Sequence, residues 1–363
     1  MTTIQAGRAV AALLVVLFHL SMIFPEYWGH DPAHGIFTFG HSGVQFFFVL
    51  SGFIIFYIHR PDIGAPGRVW NYLTKRFIRI YPVYWVVLAA VLPVLLLVPA
   101  FGHGAQRQWS VILASFTLLR VDALQPSTWY TATEIKQAIV PVSWTLFHEV
   151  LFYLMFAIAI RNRISGAIAL GLWFVTSLTM LAFSGAAYPV KFLLSPLHLL
   201  FAMGLATCWF VQEHKVRLPA VWAIAGVLLY LAVGTTDEDG PDWTTSNAYS
   251  LLYGVSSAMA IAGLASLEQQ GRIAAGRLLQ LLGDASYSIY LIHFTMFSAM
   301  AKVFQRLGVL HVMPPAAWYA ALFVIACVGG TLLHLMVEKP LLRSLRARIL
   351  HGHPPATANA RVA

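Results

Sequence analysis

Residues 8–24 have the sequence RAVAALLVVLFHLSMIF, an apolar run with one arginine at its start and one histidine past its middle. A helix needs about 20 predominantly apolar residues to cross the hydrocarbon layer of a bilayer. The run therefore predicts a transmembrane helix over 9–24. It lacks the small-residue cleavage site of a signal peptide, so we expect this helix to remain in the membrane.

The rest of the chain has the same composition. Its 363 residues are 59% hydrophobic and 10% charged, and the mean hydropathy is +0.73. Because soluble domains are about 25% charged, this composition excludes an ordinary soluble enzyme, a disordered protein and a secreted disulfide scaffold. The two cysteines, Cys208 and Cys327, lie in apolar runs without metal-ligand spacing, and we expect no metal site.

Continuous apolar runs predict an all-α polytopic integral membrane protein with about ten transmembrane helices. Strands are not expected, because the runs do not alternate between apolar and polar residues. The predicted spans are 9–24, 40–58, 78–100, 139–160, 164–184, 190–211, 218–234, 247–267, 286–307 and 315–337. Residues 1–349 then form one transmembrane domain with a long outer loop over about 101–138, and 350–363 form a disordered tail.

The basic residues orient these spans. With the N-terminus in the cytoplasm, 17 of the 23 Lys and Arg residues fall on the cytoplasmic side. Those left on the outer side are Arg107, Arg120, Lys136, Lys191, Lys302 and Arg306. The positive-inside rule therefore predicts that both termini are cytoplasmic. The net charge of +9 reflects this topology and not a nucleic-acid-binding surface.

Ionisable side chains inside a membrane span are functional candidates by default. The candidates that we select within the predicted spans are His19, His148, Glu149, His198, His293 and His334. Arg8 and His19 are about 16–17 Å of helical rise and three turns plus about 20° apart, so they share one helix face. That arrangement suits a long ligand with an anionic head and a reactive tail, such as a coenzyme A thioester. The alternative is a topology anchor and a packed core histidine.

Glu149 is the carboxylate placed well inside a predicted span, at about the depth of His19. Thr145 and Tyr153 lie on the same helix face as Glu149, because they are four residues away on either side. His19 is its natural partner by depth. The alternative role for Glu149 is a hydrogen-bonded strut between helices.

Two further groups of residues belong to the predicted site. Arg76 and Arg79 share one face at the cytoplasmic surface, where guanidinium groups suit phosphate oxygens; the alternative is a patch for lipid headgroups. Tyr290 and His293 fall on one stripe of the ninth span, where they line the same cavity or serve in packing. In the outer loop, Trp129 would stack on a sugar ring or anchor the chain at the membrane interface.

Six segments, in order along the chain, resemble the motifs of the acyltransferase family 3 membrane proteins. They are Arg8-x10-His19, GVQFFFVLSGFI at 43–54, RFIRIYP at 76–82, SWTLFHEVLFY at 143–153, LGDASYSIYLIH at 282–293 and EKPL at 338–341. The resemblance is greatest to the bacterial exopolysaccharide O-acetyltransferases. Gln45 stands where many members have an acidic residue, so we assign it no charge-dependent role.

The resemblance implies an enzyme of the bacterial inner membrane that transfers an acetyl group from cytoplasmic acetyl-CoA to a hydroxyl of an exported or lipid-linked glycan. Arg8, Arg76 and Arg79 would hold the phosphates of the donor. His19 would be the general base, and Glu149 would orient it or bind the acceptor. A covalent acetyl-histidine relay is the alternative route.

Substrate contacts are expected from Tyr153, Tyr290, His293 and Trp129. A glycan-lipid transporter or flippase without chemistry is a competing function, but no inverted repeat supports it. A sensor or scaffold is a third class, and it does not need a buried Arg–His track.

Overall fold

The structure is a computed structural model that describes residues 1–98, 101, 109–118, 138–182, 189–237 and 247–350. All regular elements in those residues are helical, which confirms the predicted fold class. The α-helices are α1 Thr2–Trp28, α2 Gly43–His59, α3 Val69–Leu97, α4 Trp109–Thr117, α5 Trp144–Arg161, α6 Arg163–Thr179, α7 Val190–Leu193, α8 His198–Glu213, α9 Pro219–Thr236, α10 Asn247–Gln269, α11 Arg277–Asp284, α12 Ser286–Leu307, α13 Pro315–Leu333 and α14 Lys339–Leu350. A π-helical turn, His334–Glu338, joins α13 to α14.

Among the described residues, nine helical segments are long and apolar enough to cross a membrane. Each of the ten predicted spans corresponds to a helical segment. The one that falls outside these nine is α12, which is 22 residues long but less apolar because serines, tyrosines, His293 and two basic residues interrupt it. The protein is therefore a polytopic membrane protein, and α12 is its most polar long helix among those predicted to span.

Several boundaries differ from the predicted ones; α1, for example, covers Thr2–Trp28 and not 9–24. Helix α3 begins at Val69 and not near 78, because a helix continues through charged residues that a hydropathy window rejects. The predicted outer loop contains the short helix α4, and Tyr84 of α3 donates a hydrogen bond to its Ser115 carbonyl at 2.8 Å. The rest of that loop, with Trp129, and residues 351–363 of the predicted tail lie outside the described residues.

Helix α1 lies at the centre of the bundle and packs against α2, α10, α11, α12 and α13. Its N-terminus is held by Glu268 of α10, whose Oε2 accepts a hydrogen bond from the Thr3 amide at 2.9 Å. A carboxylate stabilises the positive end of a helix dipole. This contact fixes the first turns of α1, and with them the position of Arg8.

Helices α2 and α8 cross in close contact at two glycines. A Cβ at Gly52 would lie 2.2 Å from the Phe201 carbonyl oxygen, and one at Gly204 would lie 1.9 Å from the Val49 carbonyl oxygen. Small residues allow membrane helices to approach at backbone distance. The small residues Ser51 and Gly52 therefore allow α8 to pack closely against α2, and this contact fixes the orientation of Ser51.

Gly204→Leu is expected to destabilise the folded protein by about 3 kcal/mol or more, because the new side chain meets backbone that cannot move aside. The measurement is the thermal midpoint of the detergent-solubilised protein by fluorescence size-exclusion chromatography. Gly171→Leu is the matched control, because Gly171 lies on exposed α6, where a Cβ would have no atom of another residue within 4 Å. Equal midpoints for the two variants would contradict this account of the crossing.

Candidate functional site

A cavity of about 700 Å³ lies between α1, α2, α3, α5, α12 and α14. Helix α2 lines it from Ile58, near one end of the helix, to Val44, near the other. Those 14 residues of helix rise about 21 Å, so the cavity is a long channel into the bundle. Its inner end is formed by Val44, Phe47, Phe48, Thr145 and Tyr290.

The opposite end of the cavity is strongly basic. We call this end the basic rim, and it consists of Arg8, Lys75, Arg76, Arg79, Lys339, Arg343 and Arg346. Within the described part of the chain, Arg79 alone among these seven forms an ion pair. The other positive charges face a partly enclosed space without a protein carboxylate bound to them, which favours an anionic ligand there.

Arg79 forms an ion pair with Glu338, which is not among the predicted site residues. Its Nη1 donates to Glu338 Oε1 at 2.6 Å, while Ser288 Oγ at 2.7 Å and His334 Nδ1 at 2.8 Å both contact Glu338 Oε2. Glu338 is fully buried. The i, i+4 spacing of His334 and Glu338 was the available signal, but the partners Ser288 and Arg79 come from distant parts of the chain.

Arg8 and Arg76 are the predicted donor-binding residues whose charges stay available. Arg8 has no hydrogen bond to the described residues and lies within electrostatic range of Glu149 and Glu338. Arg76 Nη2 lies 3.3 Å from His59 Nε2, and the guanidinium stands 5.7 Å from the centre of the Tyr153 ring. Both guanidiniums are therefore positioned by packing, with donors left for a ligand.

Glu149 lies in the cavity wall between the basic rim and the inner end. Its Oε1 accepts hydrogen bonds from Ser51 Oγ at 3.2 Å and from the Tyr153 hydroxyl. Tyr153 and Tyr290, two of the expected substrate contacts, also line the cavity. The structure thus brings together Arg8, Arg76, Arg79, Glu149, Tyr153 and Tyr290 around one cavity.

The predicted pairing of Glu149 with His19 is wrong in this structure. His19 contacts His293 instead, with 3.0 Å between His19 Nδ1 and His293 Nε2. Equal depth in the membrane does not place two side chains next to each other, because they can lie at different helix interfaces. Glu149 and His19 do so here. His19 and His293 do not line the cavity; His293 lies three residues, or about 4.5 Å of rise, beyond Tyr290.

The hydrogen-bond partners define the tautomers of this histidine pair. His293 Nδ1 faces two carbonyl oxygens, of Tyr290 at 2.7 Å and Ile289 at 3.2 Å, so it carries the proton and its Nε2 is an acceptor. His19 Nδ1 faces that acceptor and the Val15 carbonyl at 2.9 Å, so it also carries a proton. The Nε2 lone pair of neutral His19 is then unused among the described residues, as a general base requires.

The Tyr290 side chain separates the cavity from the histidine pair. Its hydroxyl lies 3.1 Å from the Thr145 hydroxyl and donates to the Val142 carbonyl at 3.3 Å. These contacts join α12 to the start of α5 across the inner end of the cavity. In the described residues, no group of three or more His, Cys, Asp or Glu side chains is placed to hold a metal ion.

Removing Glu338 is expected to cost more than removing it together with Arg79. Glu338→Leu leaves the Arg79 guanidinium without its carboxylate, and breaking a buried pair in this way costs about 3–5 kcal/mol. Arg79→Met/Glu338→Leu removes both charges and should recover part of the loss. Thermal midpoints in detergent test this, and a double variant as unstable as Glu338→Leu alone would contradict the assigned pairing.

Comparisons with known proteins agree with this architecture. A family model described as an acyltransferase domain, that of acyltransferase family 3, matches residues 2–335. The chain is 32% identical over 355 residues to the exopolysaccharide production protein ExoZ of Rhizobium meliloti (strain 1021), covering 92% of this chain and 96% of that protein.

Two further relatives are more distant. Acyltransferase MdmB of Streptomyces mycarofaciens is 29% identical over 381 residues, covering 97% of this chain and 93% of that protein. The putative peptidoglycan O-acetyltransferase YrhL of Bacillus subtilis (strain 168) is 26% identical over 367 residues, covering 92% of this chain and 54% of that protein. No solved structure matches the chain. Because the family model covers nearly all of the helical bundle that encloses the cavity, the chain belongs to acyltransferase family 3 and is a membrane-embedded acyltransferase.

Proposed function

We propose that this protein is an O-acetyltransferase of the bacterial inner membrane. It takes the acetyl group of cytoplasmic acetyl-CoA and transfers it to a hydroxyl of a cell-surface or exported polysaccharide, or of its lipid-linked precursor. The observation that supports this best is the cavity itself, with arginines free of ion pairs among the described residues at one end and, past the other end, the histidine pair, in which His293 lies about one helical turn beyond Tyr290 and contacts His19. The basic rim faces the cytoplasm in this proposal, as the positive-inside rule requires.

The donor fits the cavity by charge and by length. Its diphosphate would lie against Arg8 and Arg76, whose guanidinium donors are not bound to a carboxylate in the part of the chain that the structure describes. Its pantetheine arm would follow the apolar wall of α2, past Ile54 and Phe47. The rise of about 16–17 Å from Arg8 to His19 matches an extended arm of that kind.

His19 Nε2 acts as the general base. It accepts the proton of the sugar hydroxyl as the hydroxyl oxygen attacks the thioester carbonyl carbon. The tetrahedral intermediate then collapses, the carbon–sulfur bond breaks, and the leaving thiolate takes the proton from His19. His293 keeps the His19 ring oriented through Nδ1, the role that a second group plays for a catalytic imidazole.

Transfer requires that Tyr290 move out of the way. Its two hydrogen bonds at the inner end of the cavity are each worth about 0.5–1.5 kcal/mol net, so donor binding can displace the ring at modest cost. Glu149, which is held by Ser51 and Tyr153, then faces the pantetheine arm and not the imidazole. In this proposal Glu149 positions the donor through its charge near Arg8.

The acceptor assignment rests on the relatives. One of them is named as an exopolysaccharide production protein and another as a putative peptidoglycan O-acetyltransferase, so glycan hydroxyls are the common acceptor chemistry. The acceptor would approach from the side of the membrane opposite the basic rim. Trp129 remains a predicted sugar contact in this proposal.

His19→Asn is expected to lower acetyl transfer by about 100-fold or more, since general-base catalysis contributes about 10²–10⁴-fold. The Asn amide keeps a donor toward the Val15 carbonyl but has no basic nitrogen. The assay follows label from acetyl-CoA into candidate glycans by mass analysis, with purified protein in detergent. His30→Ala, at an exposed histidine outside the helices, is the matched control.

Wild-type transfer by a folded His19→Asn protein would remove the base assignment. Wild-type protein that binds a glycan lipid but never consumes acetyl-CoA would instead support a flippase without chemistry. Binding of acetyl-CoA by the His19→Asn variant should stay within about threefold of wild type, because His19 lies beyond the phosphate contacts.

A further inference from the structure

The C-terminal helix α14 contributes a second basic wall to the cavity. Lys339, Arg343 and Arg346 all line the cavity. Their positions are 0, 4 and 7 along the helix, so they fall within about 60° of one another on one face. Helix α14 packs against α3, which carries Arg76 and Arg79, so the two sets of charges line the same mouth of the cavity.

Helix α14 extends past the thickness of the membrane. The helical segment that contains it, Pro315–Ile349, is 35 residues long, whereas about 20 residues cross the hydrocarbon layer. Lys339, Arg343 and Arg346 are exposed, while Arg8 and Arg76 are half-buried deeper in the same cavity. Within the basic rim, Arg8 and Arg76 therefore form an inner tier, and Lys339, Arg343 and Arg346 form an outer tier; Arg79 is paired with Glu338, and Lys75 belongs to neither tier.

The charges of the two tiers do not cancel within the protein. Among the described residues, the cavity is lined by seven Lys and Arg residues and by the three carboxylates Glu149, Asp284 and Glu338, which leaves an excess of four positive charges. Arg346 lies within electrostatic range of both Arg76 and Arg79, so like charges lie close together at the mouth. Such a cluster is stabilised by a ligand with several phosphate groups, and a single diphosphate would neutralise only about half of it.

We infer that Arg343 and Arg346, with Lys339 at the edge, form a subsite for the 3′-phosphate of coenzyme A and make the enzyme selective for the phosphorylated donor. This inference rests on the proposed function, because it takes the donor to be a coenzyme A thioester. The order of the chemical groups along coenzyme A determines which phosphate meets which tier. With the thioester innermost, the diphosphate comes next and meets the inner tier, and the ribose 3′-phosphate lies outermost and meets the outer tier.

The subsite distinguishes between donors that share the pantetheine thioester. A 3′-phosphate carries about −1.5 to −2 charges near neutral pH, and dephospho-coenzyme A lacks that group. An acyl group on a phosphopantetheine carrier lacks the nucleotide altogether. The outer tier therefore selects soluble coenzyme A thioesters over both.

The test measures the binding of coenzyme A and of dephospho-coenzyme A to the purified full-length protein in nonionic detergent, by titration calorimetry at about 0.15 M salt. Wild-type protein should bind coenzyme A about tenfold more tightly. In Arg343→Gln/Arg346→Gln the preference should fall below about twofold, with the affinity for dephospho-coenzyme A within about threefold of wild type. Such a pattern places the lost interaction on the 3′-phosphate itself.

Arg348→Gln is the matched control. Arg348 is exposed on the same helix but about 180° from Lys339, and it does not line the cavity. The substitution removes a positive charge from α14 without changing the proposed subsite, so the tenfold preference for coenzyme A over dephospho-coenzyme A should persist. A loss of preference in Arg348→Gln equal to the loss in the double variant would show only a general field effect and would overturn the assignment.

The remaining outcomes separate this inference from the proposed function. Equal affinity of wild-type protein for the two nucleotides overturns the 3′-phosphate subsite and leaves a coenzyme A donor in place. A preference that survives in Arg343→Gln/Arg346→Gln also overturns it, and is the result expected if α14 instead contacts anionic lipid headgroups. Failure of wild-type protein to bind either nucleotide overturns both the subsite and the proposed donor.

Discussion

Uncompensated positive charge around a cavity inside a membrane bundle is the constraint on which the site depends. Charges are costly to hold near hydrocarbon unless they are paired or lie next to water or a ligand. At the basic rim only Arg79 has an ion pair within the described residues, and Glu338, which provides it, is fully buried among Ser288 and His334. Helix packing places the other basic residues around the same cavity, which favours an anionic ligand there, and Glu268 holds α1 in register so that Arg8 is among them.

The same helix packing separates the cavity, where the donor is proposed to bind, from His19, the proposed general base. The cavity ends at Tyr290, and the histidine pair begins one turn further along α12. In the proposed mechanism, the closed inner end would protect the thioester from water until the Tyr290 ring moves, which is a common use of gating in enzymes. Among the described residues, the carbonyl groups of Val15 and Tyr290 orient the two imidazoles and no carboxylate contacts either ring, so the neutral His19 ring keeps an unprotonated nitrogen.

The features of the site that depend on the residue spacing within one helix could be predicted from the sequence. The 11-residue spacing of Arg8 and His19 set both their common face and their difference in depth, and the motif segments gave the family. Contacts between helices could not be predicted. Glu149 and His19 were paired by depth alone, yet the structure gives His19 a partner from α12 and gives Glu149 the hydroxyls of Ser51 and Tyr153. The motif EKPL contains Glu338, but its ion pair could not be predicted, because its partner Arg79 lies 259 residues away.

The central claim is that a thioester held at the basic rim reaches His19. The most direct measurement is a cryo-EM structure with S-acetonyl-coenzyme A, in which a stable ketone replaces the thioester. The account predicts a displaced Tyr290 ring and a ketone carbon within about 5 Å of His19 Nε2, which leaves room for one acceptor hydroxyl between them. A ketone that stops beside Glu149, with the Tyr290–Thr145 contact intact and His19 still outside the occupied cavity, would contradict it.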